Sequence, residues 1–156
     1  MQTQTPLTSA HETSEEVRPW VRVVMVAVLG LPQVATGLWA LVSPSGWFAN
    51  FPGIGPALVA AEPPFNRHLA TDTGAGFLAV GVCVVVAAWG GRANLCRLAA
   101  LTYAVFATPH MLYHLRHPAS ALTTGEQFFG TGGLATGLVA ALFVLWTLRL
   151  GGRRQP

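Results

Sequence analysis

The sequence is poor in charge. Only 10% of its 156 residues are Asp, Glu, Lys or Arg, while 52% are hydrophobic. A water-soluble domain of this size carries about a quarter charged residues, so an ordinary soluble domain is excluded: much of the surface must face something other than water. Lysine is missing altogether, and the nine basic residues are all arginines. They are scattered, and a formal net charge of +3 spread in this way excludes a nucleic-acid partner. Cysteine is scarce. Cys83 and Cys96 form no CxxC motif, and both fall toward the cytoplasmic side in the topology derived below. Thiols stay reduced there and serve as small apolar packing residues. No nucleophile motif and no phosphate-binding loop occurs. A basic leader is absent too: the residues before Trp20 are polar and acidic, with His11, Glu12, Glu15 and Glu16, so no cleavable signal peptide is expected.

What the sequence does contain is four long apolar runs, at about residues 20–42, 68–89, 95–115 and 127–150. Each is about 20 residues, the length that crosses a hydrocarbon core of about 30 Å at about 1.5 Å per residue. Lipid cannot satisfy a bare backbone, so spanning segments of this kind are helices. The expected fold is all-α: a polytopic integral membrane four-helix bundle over residues 14–150, between a disordered N-terminal tail (1–13) and a basic C-terminal tail (151–156). Thr13 and Glu16 stand at capping-box spacing, and Pro19 suits a first helical turn.

Orientation follows from the arginines. Arg18, Arg22, Arg92, Arg97, Arg149, Arg153 and Arg154 fall at one end of such a bundle, and only Arg67 and Arg116 at the other. The positive-inside rule then places both termini in the cytoplasm. The expectation is a multi-pass protein of the cytoplasmic (inner) membrane, in contact with the lipid bilayer, whose first and third loops face outward. The first outward loop, about 43–67, holds Trp47, Phe48, Phe51 and Phe65 among five prolines. Such aromatics favour the headgroup region, so the loop is expected to lie along the interface. A short helix is expected near Pro56–Glu62, started by Pro56 and stopped by Pro63. The short third loop makes the last two helices antiparallel neighbours. Pro32 and Pro109 should kink the first and third spans. Gly133 and Gly137 form a GxxxG face, which packs either within the bundle or against a second copy.

Ionisable residues inside a membrane cost free energy and call for a reason. Here they gather in the outward half. His68 and Asp72 open the second span, His110, His114 and His117 close the third, and Glu126 opens the fourth. Gln33 and Thr36, beside the first kink, fall in a similar layer. His68 with Asp72, and His110 with His114, are each four apart and share a helix face. Two such pairs converging would hold a transition metal (Cu, Zn or Fe) through His68, Asp72, His110 and His114. A b-type haem between His68 and His110 is a narrower version. A quinone or lipid headgroup is another occupant, with Arg67, His68 and His114 as donors and Trp39, Phe77 and Phe106 as walls. A further reading has no ligand: Asp72 pairs with Arg67 or a histidine to hold the second and third helices together. Glu62 and Glu126 read as loop and helix-start residues, Glu126 following Thr123 at capping-box spacing. Three classes of function result: a binding or accessory protein holding a metal or haem, a structural subunit that oligomerises or joins a larger membrane complex, and an enzyme using a quinone or lipid.

The run Gly37-Leu-Trp-Ala-Leu-Val-Ser-Pro44 at the end of the first span, followed by Trp47-Phe48 and Phe51-Pro52, resembles the DoxX-like group of small four-helix membrane proteins. Gly74-Ala-Gly-Phe-Leu-Ala-Val-Gly81 continues the likeness, which covers roughly residues 25–90. The group is functionally mixed, with some members tied to quinone-linked oxidation, and the resemblance carries no site residues with it. Pro109-His110-Met-Leu-Tyr-His114 is not part of the group's pattern.

Overall fold

The computed structural model describes residues 16–151. The expected disordered tail, Thr13 of the first capping box, and the basic tail beyond Gly151 with Arg153 and Arg154 lie outside the described residues. Among the described residues all regular structure is helical, apart from one isolated antiparallel bridge between Glu16 and Arg92. Four long helices, α1 (Pro19–Val42), α3 (Arg67–Gly90), α4 (Ala93–Arg116) and α5 (Thr124–Gly151), are long and apolar enough to cross a membrane. A short α2 (Pro44–Asn50) follows α1. The 24 residues of α1, α3 and α4 make rods of about 36 Å, each end within three residues of the expected span. Large apolar side chains such as Val42, Val86, Trp89, Val105 and Val139 point away from the bundle, as lipid-facing residues do.

The chain runs up and down, so α1–α3, α3–α4, α4–α5 and α1–α5 are neighbours around a square. One end of the bundle carries the start of α1, the tight 91–92 turn and the end of α5; it is called here the terminal end. The loop end carries residues 43–66 and 117–123. The closest pair is α1–α3, and glycine permits it. A methyl group on Gly37 would lie 2.5 Å from the Leu78 amide nitrogen and 2.7 Å from the Gly74 carbonyl oxygen, and one on Gly81 would lie 2.7 Å from the Val34 amide nitrogen. Small residues of this kind let helix backbones touch.

Pro32 acts differently from a simple kink. Met25–Gly30 is a π-helical turn, and the Leu31 N–H donates to the Val26 carbonyl five residues back. Proline has no N–H, and its ring crowds the carbonyl one turn earlier; the widened turn absorbs both effects. Pro109 lies within α4.

The terminal end is densely closed. Met25, Leu29, Val84, Cys96, Ala100, Ala141 and Val144 are fully buried there, while Cys83 faces outward. Arg22 donates from Nε to the Ala88 carbonyl and from Nη2 to the Trp89 carbonyl, both at 2.8 Å. Gly91 ends α3 in the left-handed region at φ +66°. Arg97 donates to the Leu148 carbonyl at 2.5 Å. Two basic side chains thus satisfy carbonyls that the ends of α3 and α5 leave open.

At the loop end the short helix lies at Pro44–Asn50 and not at Pro56–Glu62, where the chain forms turns. The Pro-start, Pro-stop logic holds, but Pro44 and Pro52 play those parts. Segment 56–62 folds back instead, because the Leu58 N–H is taken by the Phe51 carbonyl at 2.9 Å. Trp47 packs with Ala40 and Ala70, and Trp39, Phe48, Phe51 and Val59 join that cluster. The loop therefore covers the bundle. Thr123 and Glu126 form the expected capping box: the Thr123 N–H and hydroxyl both donate to Glu126 Oε2 at 2.8 Å, and the Glu126 N–H donates back to Thr123 Oγ1 at 3.4 Å.

Candidate functional site: a cavity in the loop half

The two halves of the bundle differ in how α1 meets α5. The Met25–Gly30 turn packs against α5, but Leu31–Val42 leans on α3 and forms no comparable interface with α5. The space left in the loop half is a cavity of about 870 Å³, lined by all four long helices and by the loop. Ala27, Val28, Tyr103 and Gly137 form its floor. There the Gln33 Nε2 donates to the Tyr103 hydroxyl at 3.1 Å, linking α1 to α4. Gly137 lies directly against that hydroxyl, and a methyl group at 137 would overlap it.

The side wall is aromatic. Phe77 lines the cavity, backed edge to face at 5.0 Å by Phe106, which lies outside the lining, and the His110 ring stands 5.9 Å from Phe77 and 6.1 Å from Phe106. His110 Nε2 lies 3.2 Å from His114 Nε2. A hydrogen bond between two imidazoles needs one nitrogen protonated and the other bare, so in a neutral pair the two Nε2 atoms satisfy each other and the two Nδ1 atoms are left as one acceptor and one donor. His117 lines the mouth and its Nδ1 is 3.0 Å from the Tyr113 carbonyl. The roof is Trp47, Phe51, Pro52, Ile54, Leu58, Val59 and Glu62. Two polar atoms of the roof residues, Trp47 Nε1 and Glu62 Oε1, are buried without a hydrogen-bond partner. Native proteins leave few such atoms, and each calls for an explanation. Gln127, also in the lining, spends its amide on the Ala119 and Leu122 carbonyls.

The expected convergence of four metal ligands is not what forms. His110 and His114 line the cavity, but His68 and Asp72 do not. His68 Nε2 lies 3.3 Å from Asp72 Oδ2 on the outside of α3, where the two side chains are 88% and 61% exposed. Among the described residues no three His, Cys, Asp or Glu side chains group so as to hold a metal ion. Helix register explains this. Thr73 and Phe77 are the α3 residues that face the cavity; at about 100° per residue, Asp72 and His68 are turned well away from that line. His68, which the haem reading paired with His110, likewise lies outside the cavity that His110 lines. Asp72 also does not tie α3 to α4, because its partner is on its own helix. The GxxxG face is divided: Gly137 packs within the bundle, against the Tyr103 hydroxyl of α4, whereas Gly133 is exposed and lines the cavity with no atom within 4 Å of an added methyl.

Sequence reading missed Tyr103, Trp47 and Gln127, and read Glu62 only as a loop residue. Tyr103 had a signal: it lies seven residues before His110, hence on the same helix face, and a phenol deep in an apolar span needs a partner. Trp47 and Glu62 had none, since their position depends on how the loop folds back. No protein family, curated protein or solved structure matches this chain.

Proposed function

We propose that this chain is a membrane protein that binds an amphipathic small molecule in the loop-half cavity: an apolar ring with hydrogen-bonding groups, of the quinone type. The observation that carries this reading is the cavity itself. Its volume of about 870 Å³ lies within the range of about 300–1,000 Å³ typical of small-molecule sites. Its walls are mainly apolar and aromatic, and its polar groups are few and localised, with Gln33 and Tyr103 at the floor and His110 and His114 on the wall. Such a set fixes a ring with polar substituents between hydrogen bonds and aromatic faces. Trp47 and Glu62 of the roof also line the cavity, and each has a buried polar atom without a partner. The resemblance to DoxX-like proteins, some tied to quinone-linked oxidation, points the same way. The arginine distribution supports cytoplasmic termini, which puts the cavity in the outward half.

The test is direct. The protein is purified in detergent, and co-purifying quinones and lipids are identified by mass spectrometry. A short-chain benzoquinone is then titrated while tryptophan fluorescence is followed, with Trp47→Phe as a control for the reporter. Saturable binding is expected, weakened about 3- to 10-fold by His110→Ala or Gln33→Leu, the loss of about one hydrogen bond. Absence of both saturable binding and any co-purified amphipath would overturn the proposal.

A further inference from the structure

We infer that the cavity is filled from the lipid phase, through a gap between α1 and α5, and that its occupant carries an apolar tail lying in that gap. This rests on the reading of the cavity as a small-molecule site. At the terminal end α1 and α5 are in contact: the Trp20 and Phe143 rings lie 5.7 Å apart, and Met25–Gly30 packs on α5. Beyond that turn the helices diverge. Pro32 and Gly133 are both exposed, and both also line the cavity, so they border an opening from its two sides. A methyl group on Gly132 or Gly133 meets no atom within 4 Å.

The depth of this opening decides what enters. Pro32 lies ten residues before the end of α1, and Gly133 lies nine residues after the start of α5, which is about 15 Å below the loop end of either helix. In a spanning bundle that level is hydrocarbon. The loop end, by contrast, is roofed onto α5. A methyl on Gly130 would lie 3.2 Å from Leu58, and one on Gly55 would lie 3.6 Å from the Phe129 ring. The opening therefore lies beneath a covering that reaches α5, at a level where a water-borne polar solute is excluded and a lipid-dissolved molecule is not. An isoprenoid or acyl tail costs little there, because the gap and the surrounding lipid are similarly apolar. The polar head sits among Tyr103, Gln33, His110 and His114.

The experiment uses the full chain in lipid nanodiscs and two probes with the same benzoquinone head. One carries a decyl tail with a mid-chain diazirine; the other has no tail. Photolysis of the tailed probe should label residues 31–36 of α1 and 129–136 of α5, competed by the unmodified tailed quinone. Gly133→Leu should lower the affinity of the tailed probe at least tenfold and that of the tail-less probe less than threefold. If both probes bind wild-type protein equally and Gly133→Leu affects them alike, or if labelling falls only on residues 51–62, the lipid route is wrong while the cavity remains a binding site. If neither probe binds, the cavity reading itself fails.

Discussion

At the residue scale, the glycines of α5 separate two roles that look identical in sequence. Gly137 is demanded by the Tyr103 hydroxyl against it, whereas Gly133 borders open space. Gly137→Ala should therefore lower thermal stability in detergent. The steric cost of overpacking, about 1–3 kcal/mol, exceeds the gain of up to about 1 kcal/mol from replacing a helical glycine by alanine. Gly133→Ala should be neutral or slightly stabilising. Adding Tyr103→Phe to Gly137→Ala removes the overlapping oxygen and should restore part of the loss. Equal melting temperatures for the two single alanine variants would contradict this assignment. The comparison also shows what was legible. The histidines and Gln33 stood out because polar groups are rare in an apolar chain, and their depth followed from counting residues. Which of them face the same space did not follow, because a difference of one position turns a side chain by about 100°. Thr73, not Asp72, faces the cavity for that reason alone.

At the element scale, the four long helices were readable because their length and polarity match the thickness of lipid, a constraint that no local detail overrides. The loop was less readable, since prolines mark starts and stops without saying which pair encloses the helix. The ends of the helices hold a further device that topology rules treat only as charge. Arg22 closes the C-terminus of α3 through two carbonyls beside the left-handed Gly91. Arg22→Ala should destabilise the protein by about 1.5–3 kcal/mol, the range for hydrogen bonds to a charged group. Arg22→Lys should recover only part of this, because one ammonium does not reproduce the guanidinium fork. Thermal unfolding of the three proteins in one detergent is the measurement. A lysine variant as stable as wild type would mean that the positive charge, and not the two-carbonyl geometry, is what matters. Gly91→Ala should weaken the same junction by about 1–2 kcal/mol, since a side chain there is forced into the left-handed region.

At the scale of the whole molecule, closure at one end and opening at the other give the bundle a direction. The terminal end is sealed by the main hydrophobic core and by Arg22 and Arg97; the loop half holds the cavity, the histidine pair and the covering loop. By the positive-inside rule the arginine count, seven against two, predicts that direction relative to the cell. With Cys83 and Cys96 replaced by serine, single cysteines are placed at Ser120 in the loop end and at Gly90 in the terminal end, both exposed. In intact cells a membrane-impermeant maleimide should label position 120 and not position 90, and permeabilisation should expose both. A reversed pattern would put the termini outside and the cavity toward the cytoplasm. The same count predicts how firmly the orientation is held. Replacing Arg18, Arg92 and Arg149 by glutamine leaves two arginines, Arg22 and Arg97, beside the terminal end within the described residues, together with the C-terminal pair. The excess over Arg67 and Arg116 shrinks, and a measurable inverted fraction should appear in the labelling. Arg22 and Arg97 are spared because their loss would weaken the ends of α3 and α5 and confuse stability with orientation. If the variant stays uniformly oriented, features other than arginine fix the direction, and the asymmetry between the sealed core and the polar cavity becomes the first to test.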